Sequence, residues 1–272
     1  MILYIQPIFI PSENRYSINE QSVLSLKQYL NAYPYDIKIM MGGWAVSDEL
    51  WNRIENCIIT ELGDKLIAVR RFDKNYGKAY VVNTLFKECI DLDFKYFLTA
   101  DSDMKFSLDI KNMFERLSDL PARSEQILNK SFGVAGLNQL EHNCHLSHIY
   151  KNKYEYINRY NDIELVVYGD QPNGIGGGAM FFSKEAWIKI GGYRIMGVYA
   201  GDDAYSLIDM YHAGYSYQMV DTIAMIHPRD IDTEYNVWKV KVCQRDSYSD
   251  DRDANLEEKI KESEDFWKNR TI

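Results

Sequence analysis

The sequence predicts an α/β fold: a single, mostly parallel, Rossmann-like sheet flanked by helices. Three observations carry that expectation. Short apolar runs alternate with amphipathic helical patterns over roughly the first hundred residues, as consecutive strand–helix units do. The chain has 272 residues with 46% hydrophobic residues, enough for one large α/β domain with a buried core. An acidic pair, Asp101 and Asp103, directly follows an apolar run, the position outside a strand's carboxyl end where such sheets hold ligands.

Taken in order, Ile2–Ile8 reads as the first strand, bounded by a loop at Pro11. Ser17 and Glu20 fit a capping box for the helix that follows, with Val23, Leu26 and Leu30 on one face. Ile37–Met41 is a second strand, which Gly42-Gly43 is expected to break, and Ser47-Asp48-Glu49 opens the next helix. Leu66–Val69 is a third strand, Gly77 starts a helix, and Tyr96–Thr99 is a fourth strand running into Asp101-Ser102-Asp103. Beyond it come a short helix at Asp109–Ser118, a strand at Phe132–Leu137, a strand at Ala179–Phe182 and a helix at Lys184–Ile190. A helix then leads from Gly201-Asp202-Asp203 to Gly214, Ile223–Ile226 forms a last strand, and Asn255–Arg270 reads as a charged helix. Residues 138–172 show no clear period, the mark of a functional insertion.

Composition narrows the classes of partner. The formal charge is −9, which gives no overall pull toward nucleic acid or anionic membrane. No window approaches the ~20 apolar residues that span a bilayer, and the first residues lack a signal-peptide pattern. The four cysteines, Cys57, Cys89, Cys144 and Cys243, form no CxxC pair. Cys57 and Cys89 sit among apolar helix positions and read as buried free thiols, and the pattern points to a reducing compartment, the cytoplasm.

Several residues carry chemistry. Asp101 and Asp103, two apart at a strand end, can point the same way, and paired carboxylates call for a hard divalent cation between them. They also fit plain turn or cap residues. Gly177-Gly178 would let backbone approach a substrate closely, or simply make a turn. Asp202 and Asp203 begin a helix, where a carboxylate suits a general base and equally an ordinary cap. His227 ends an apolar strand and offers an imidazole ligand or a satisfied core histidine. Lys78, after Gly77 at a helix start, places a cation beside unpaired backbone N–H groups and suits a diphosphate. His142, His145 and His148 are spaced like a helical stripe, a weak zinc pattern in irregular surroundings.

Together these segments resemble, in order, a known family. Asn75-Tyr76-Gly77-Lys78-Ala79 with Asn83, Phe97 to Asp103, Gly177 to Lys184, Ile190-Gly191-Gly192-Tyr193 and Gly201-Asp202-Asp203-Ala204 are similar to the ordered segments of family-2-type glycosyltransferases with the GT-A fold. Polypeptide N-acetylgalactosaminyltransferase and chondroitin polymerase catalytic domains belong to that type. The resemblance covers residues 1–230 as a catalytic domain and leaves 231–272 as a helical extension packed on it. It implies a metal-dependent transferase that moves a sugar from a nucleotide-sugar, a UDP-sugar, to a hydroxyl of a saccharide or glycan. It further implies that Asp101, Asp103 and His227 hold Mn2+ or Mg2+. Pro7, Ile8, Lys78, Asp101, Ser102, Gly177 and Gly178 would lie against the donor. Asp203 matches the catalytic base, with Asp202 where the family carries glutamate.

The chain departs from the family at Met41-Gly42-Gly43-Trp44, which replaces an acidic segment and offers Trp44 as a stacking platform for the base. Residues 138–172 have no counterpart and are expected on the acceptor side. Three alternatives share the pattern. A sugar nucleotidyltransferase would want a glycine-rich loop where Pro7-Ile8-Phe9-Ile10-Pro11 stands. A non-catalytic carbohydrate-binding protein would not need the intact acids. A transferase acting on a hydroxylated DNA base, of the phage type, would use Arg123, Lys130, Lys151, Lys153 and Arg159, against the overall charge.

Overall fold

The computed structural model describes residues 1–140, 177–195, 197–198, 202–228 and 235–239, the backbone of 154–160 and 163–168, and single residues 241, 261 and 265, with 202 and 221 by backbone only. The elements run β1 (Ile2–Ile10), α1 (Glu13–Ala32), β2 (Ile37–Ala45), α2 (Asp48–Leu62), β3 (Leu66–Arg71), α3 (Gly77–Cys89), β4 (Tyr96–Ala100), α4 (Met113–Leu128) and β5 (Phe132–Leu140). They continue with β6 (Tyr154–Tyr160), β7 (Ile163–Tyr168), β8 (Ala179–Ser183), α5 (Lys184–Ile190), α6 (Asp202–His212) and β9 (Ser216–Ile226).

The strands form one nine-stranded sheet in the order β3-β2-β1-β4-β8-β5-β9-β7-β6. Alternate side chains leave opposite faces of each strand, and this splits the core in two. From β1, Ile2 and Tyr4 pack with residues of α1, α2 and α4, whereas Leu3 and Ile5 pack with α3, α5 and α6. The result is the expected three-layer α/β sandwich. Parallel pairing is concentrated in one half: β3–β2, β2–β1 and β1–β4 are parallel, as is β5–β9. The pairs β4–β8, β8–β5, β9–β7 and β7–β6 are antiparallel, so the second half is mixed.

Several boundaries differ from the sequence reading. α1 is capped by Ser12, whose Oγ accepts the Arg15 N–H, so Ser17 and Glu20 lie inside the helix. Glu20 instead accepts the Tyr16 hydroxyl at 2.6 Å. Gly42-Gly43 does not break β2. Gly43 is opposite Ile8, and a Cβ there would come within 1.8 Å of the Ile8 carbonyl oxygen, so glycine is what lets the two strands close. α4 begins at Met113 and continues through Pro121, because Phe114, Leu117 and Leu120 bury one face of it. Within 138–172, β5 extends to Leu140 and β6 pairs with β7, so part of that stretch is sheet. The histidines 142, 145 and 148, Cys144 and Cys243, and most of the tail helix at 255–270 lie outside the described residues. No described helix is long and apolar enough to cross a membrane.

The site is positioned by the strand order. β1 sends its chain one way to β2, while β4 lies on its other side. The carboxyl ends of β1 and β4 therefore flank a topological switch point, where α/β sheets open a crevice.

Candidate active site

β4 ends at Ala100, and the turn that follows is clamped from three directions. The Asp101 N–H donates to the Gly178 carbonyl at 2.7 Å, which ties the turn to the start of β8. The Gln6 amide of β1 donates to Ser22 Oγ at 2.8 Å and to the Asp101 carbonyl at 3.1 Å, and Ser22 donates onward to the Met104 carbonyl at 2.5 Å. Lys105 and Ile226 exchange backbone hydrogen bonds, each 2.8 Å, which seats the end of β9 beside the turn. The His227 N–H then donates to the Leu140 carbonyl at 2.9 Å.

This last clamp brings His227 to the acids. One ligand atom from each of Asp101, Asp103 and His227 lies within 4.8 Å of the others. His227 Nε2 is 3.8 Å from Asp103 Oδ1. Asp103 Oδ1 is buried and accepts no hydrogen bond among the described residues. Two carboxylates and an imidazole converging around such an oxygen fit a divalent cation. Each acid also has a cation beside it. Lys78 Nζ sits 2.7 Å from Asp101 Oδ1 and donates to the Gly177 carbonyl at 2.6 Å. Arg15 Nη2 is 3.5 Å from Asp103 Oδ2.

The cluster lines a cleft of about 670 Å³. Pro7, Ile8, Trp44, Lys78, Asp101, Ser102, Asp103, Gly177, Gly178, Asp203 and His227, all singled out in the sequence, share its wall. Asp202 opens α6 beside them, with its side chain outside the described residues. The Asp203 carboxylate is fixed at both oxygens: Oδ2 accepts the Gly177 N–H at 2.9 Å and Oδ1 accepts the Ala204 N–H at 2.8 Å. A Cβ at Gly177 would stand 2.8 Å from the Asp203 Cβ. The glycine thus makes room for Asp203, a role the sequence reading assigned to substrate. Asn83, the last residue of the Asn75–Ala79 segment pattern, lies on α3 and clamps Tyr193, giving and accepting a backbone hydrogen bond of 2.9 Å each.

Other wall residues escaped the sequence reading. Phe9 stacks against Trp44 with centroids 5.8 Å apart and against Trp238 at 5.0 Å. Trp238 stacks in turn on Tyr235, whose ring carries the Arg15 guanidinium at 3.7 Å. Burial pushes the Tyr235 hydroxyl up to about 12, with Arg15 opposing and Asp103 adding to the rise. Tyr235, Trp238 and Lys239, three and four apart on a helical turn, do face one way, but the surrounding tail gave no reason to place that turn here. Arg15 was masked by the misplaced start of α1.

No protein-family model matches the chain, and no curated protein matches its sequence. Solved structures do match in fold. The mannosyltransferase PcManGT from Pyrobaculum calidifontis, in complex with GDP-Man and Mn2+, is 13% identical over 98% of this chain and 69% of its own, with a TM-score of 0.58. S. aureus TarS, as its 1–349 fragment, is 12% identical over 96% of this chain and 69% of the fragment, with a TM-score of 0.54. A longer TarS structure is 11% identical over 97% of this chain and 43% of its own, at a TM-score of 0.56. The chain has the GT-A fold.

Proposed function

We propose that the protein is a metal-dependent glycosyltransferase, moving a sugar from a nucleoside diphosphate donor to a hydroxyl of a saccharide or glycan. The observation that carries this reading is the convergence of Asp101, Asp103 and His227 beside Lys78 and Asp203 in one cleft at the switch point. The PcManGT complex with GDP-Man and Mn2+, on the same fold, supports the class of donor and the metal, Mn2+ or Mg2+. UDP-sugars, implied by the sequence resemblance, are the first donors to test and GDP-sugars the second.

In this reading Asp101, Asp103 and His227 would hold a divalent cation, which would supply charge neutralisation for the diphosphate leaving group. Lys78, at the start of α3, faces the same group. Asp203, held by two backbone N–H groups, takes the proton of the acceptor hydroxyl. The acceptor oxygen forms its bond to the anomeric carbon as the carbon–phosphate oxygen bond breaks and the nucleoside diphosphate leaves. Trp44, Pro7 and Ile8 would face the nucleoside, and Ser102, Gly177 and Gly178 the rest of the donor, all of them lining the cleft.

Two further assignments belong to the same proposal. The division into a 1–230 catalytic domain and a 231–272 extension draws its support from 235–239 alone, where Tyr235 and Trp238 pack toward Phe9, most of the extension lying outside the described residues. The enzyme works in a reducing compartment, the cytoplasm, supported by Cys57 and Cys89, both free thiols that burial pushes up to about 11. The DNA-base acceptor gains no support: Arg123 pairs with Asp119, and Lys151 and Lys153 lie outside the described residues.

The test is a thermal-shift screen of UDP- and GDP-sugars with and without Mn2+, since a ligand of the folded state raises its stability. A metal-dependent shift, followed by metal-stimulated donor hydrolysis, is expected. Pyrophosphate release from a nucleoside triphosphate would favour a nucleotidyltransferase instead. No metal-dependent response to any donor would overturn the proposal.

A further inference from the structure

Arg15 has no role in the chemistry so far, and its surroundings are unusual. Its side chain is 4% exposed, yet it lines the cleft. A guanidinium carries five N–H donors, and leaving one buried without a partner is costly. Here Nε has no hydrogen-bond partner among the described residues. The contact from Nη2 to Asp103 is 3.5 Å, long for a charge-assisted hydrogen bond. The face of the group lies 3.7 Å from the Tyr235 ring centre, so its edge, with the donors, is what remains for a ligand. The Tyr235 hydroxyl also meets the group, but the partnerless Nε and the long contact to Asp103 point to an anion that belongs beside this buried cation.

We infer that Arg15 is a diphosphate-binding residue that, without ligand, is parked on Asp103. The inference rests on the function proposed above. The two acids of the turn each have a partner cation, Lys78 on Asp101 and Arg15 on Asp103. Asp103 has one carboxylate to share, and Arg15 competes for it with any divalent cation. When Asp103 and His227 take up that cation, Arg15 loses its counter-charge and turns its donors to a phosphate oxygen of the donor. Metal and nucleoside diphosphate then bind cooperatively, and by linkage each raises the affinity of the other by the same factor. Tyr235 keeps the guanidinium in place during the exchange, which gives the helical turn at 235–239 a reason to sit at the cleft.

The sign of a substitution separates this from a structural role. Arg15→Met removes the competitor and the phosphate ligand together. Mn2+ titrated alone, followed by electron paramagnetic resonance, should bind roughly tenfold tighter than to wild type. UDP and GDP, titrated separately at saturating Mn2+, should each bind roughly tenfold weaker where the wild type binds them. Arg15→Lys keeps the charge but loses the fork, and should leave Mn2+ affinity near wild type while weakening the nucleotide by a smaller factor. It also serves where the methionine variant unfolds. If Mn2+ and nucleotide affinity fall together, or if nucleotide affinity is unchanged in both variants, Arg15 is a structural residue and the inference is overturned. Wild-type protein that binds no Mn2+ even with nucleotide present would overturn the function itself, a result distinct from loss of the sign split alone.

Discussion

The two halves of the sheet bring residues to the cleft by different routes. From β3 to β4 the strands are parallel, and short helical crossovers connect consecutive ones. Residues from this half reach the cleft because they stand toward a strand's carboxyl end or at a helix start: Pro7 and Ile8 late in β1, Trp44 late in β2, Lys78 in α3, Asp101 and Asp103 after β4. From β8 to β6 the strands are mixed and arrive out of sequence order. Gly177, Asp203 and His227 reach the cleft through pairings between distant segments, Gly178 with Asp101 and Ile226 with Lys105. In the proposed division of labour, the first half binds the donor and the second half completes the metal set and supplies the base.

The strongest way to break that division is Asp103→Ala. Asp103 stands where the halves meet, facing Arg15 from α1 and His227 after β9. Transfer should fall by on the order of 10³-fold or more with Mn2+ binding lost, in a variant that stays folded at a lowered thermal midpoint because buried Arg15 loses its counter-charge. Retained activity with bound Mn2+ would remove the turn from the metal site. Asp203→Asn comes next. The amide keeps the shape but cannot accept the proton, so transfer should drop about 10²- to 10³-fold while nucleotide affinity stays within about twofold. A fall in donor affinity with saturated turnover preserved would place Asp203 on the donor side and blur the comparison.

Gly177→Ala probes how the second half is held. The added methyl would stand 2.8 Å from the Asp203 Cβ and 3.1 Å from its Oδ2. Asp203 should shift and lose its Gly177 hydrogen bond, with transfer down by roughly tenfold or more, since small misplacements of reacting groups are costly. Donor hydrolysis should suffer less than transfer, which a comparison of both rates on one preparation will show. An equal loss would mean that Gly177 shapes the donor pocket.

The same contrast explains what was legible. The sequence places α5 at its observed limits, Lys184–Ile190, which Ser183 caps through the Ala186 N–H and Gly191 ends in a left-handed turn. The acids after β4 were legible because an apolar run announces a strand and the next polar residues mark its end. The sequence pattern ends β2 too early, at Gly42-Gly43, since the reason for those glycines is the neighbouring strand, which no local pattern records. β9 was read only from Ile223, although it begins at Ser216. Its early polar residue Gln218 is buried and donates to Ser124 of α4, a contact made across the fold. The sequence offers His227 as a ligand, but its meeting with Asp103 depends on the Lys105–Ile226 pairing. Arg15 and the turn at 235–239 carried no signal, because their meaning comes only from each other.

Trp44 offers the smallest effect and the sharpest view of the first half. The resemblance leads one to expect acids at this strand end, but β2 presents an indole opposite Phe9, with the rings 5.8 Å apart and 23° from parallel. Both rings line the cleft, as does Trp238 on the other neighbour contact of Phe9. Rings stack on any nucleobase, and such a contact is worth about 1–3 kcal/mol by truncation. Stacking far from the reacting carbon is made equally in ground and transition states, so it lowers KM without raising kcat. Trp44→Leu should therefore raise the donor KM by roughly tenfold with kcat unchanged, and Trp44→Phe should restore most of the affinity. Tryptophan fluorescence quenched by UDP in the wild type, and diminished in Trp44→Phe, would place the base at this ring. A loss of kcat with KM unchanged would instead mean that the aromatic cluster holds the first half in shape for the chemistry, and the nucleoside end of the cleft would have to be sought at Lys74 and Asn75.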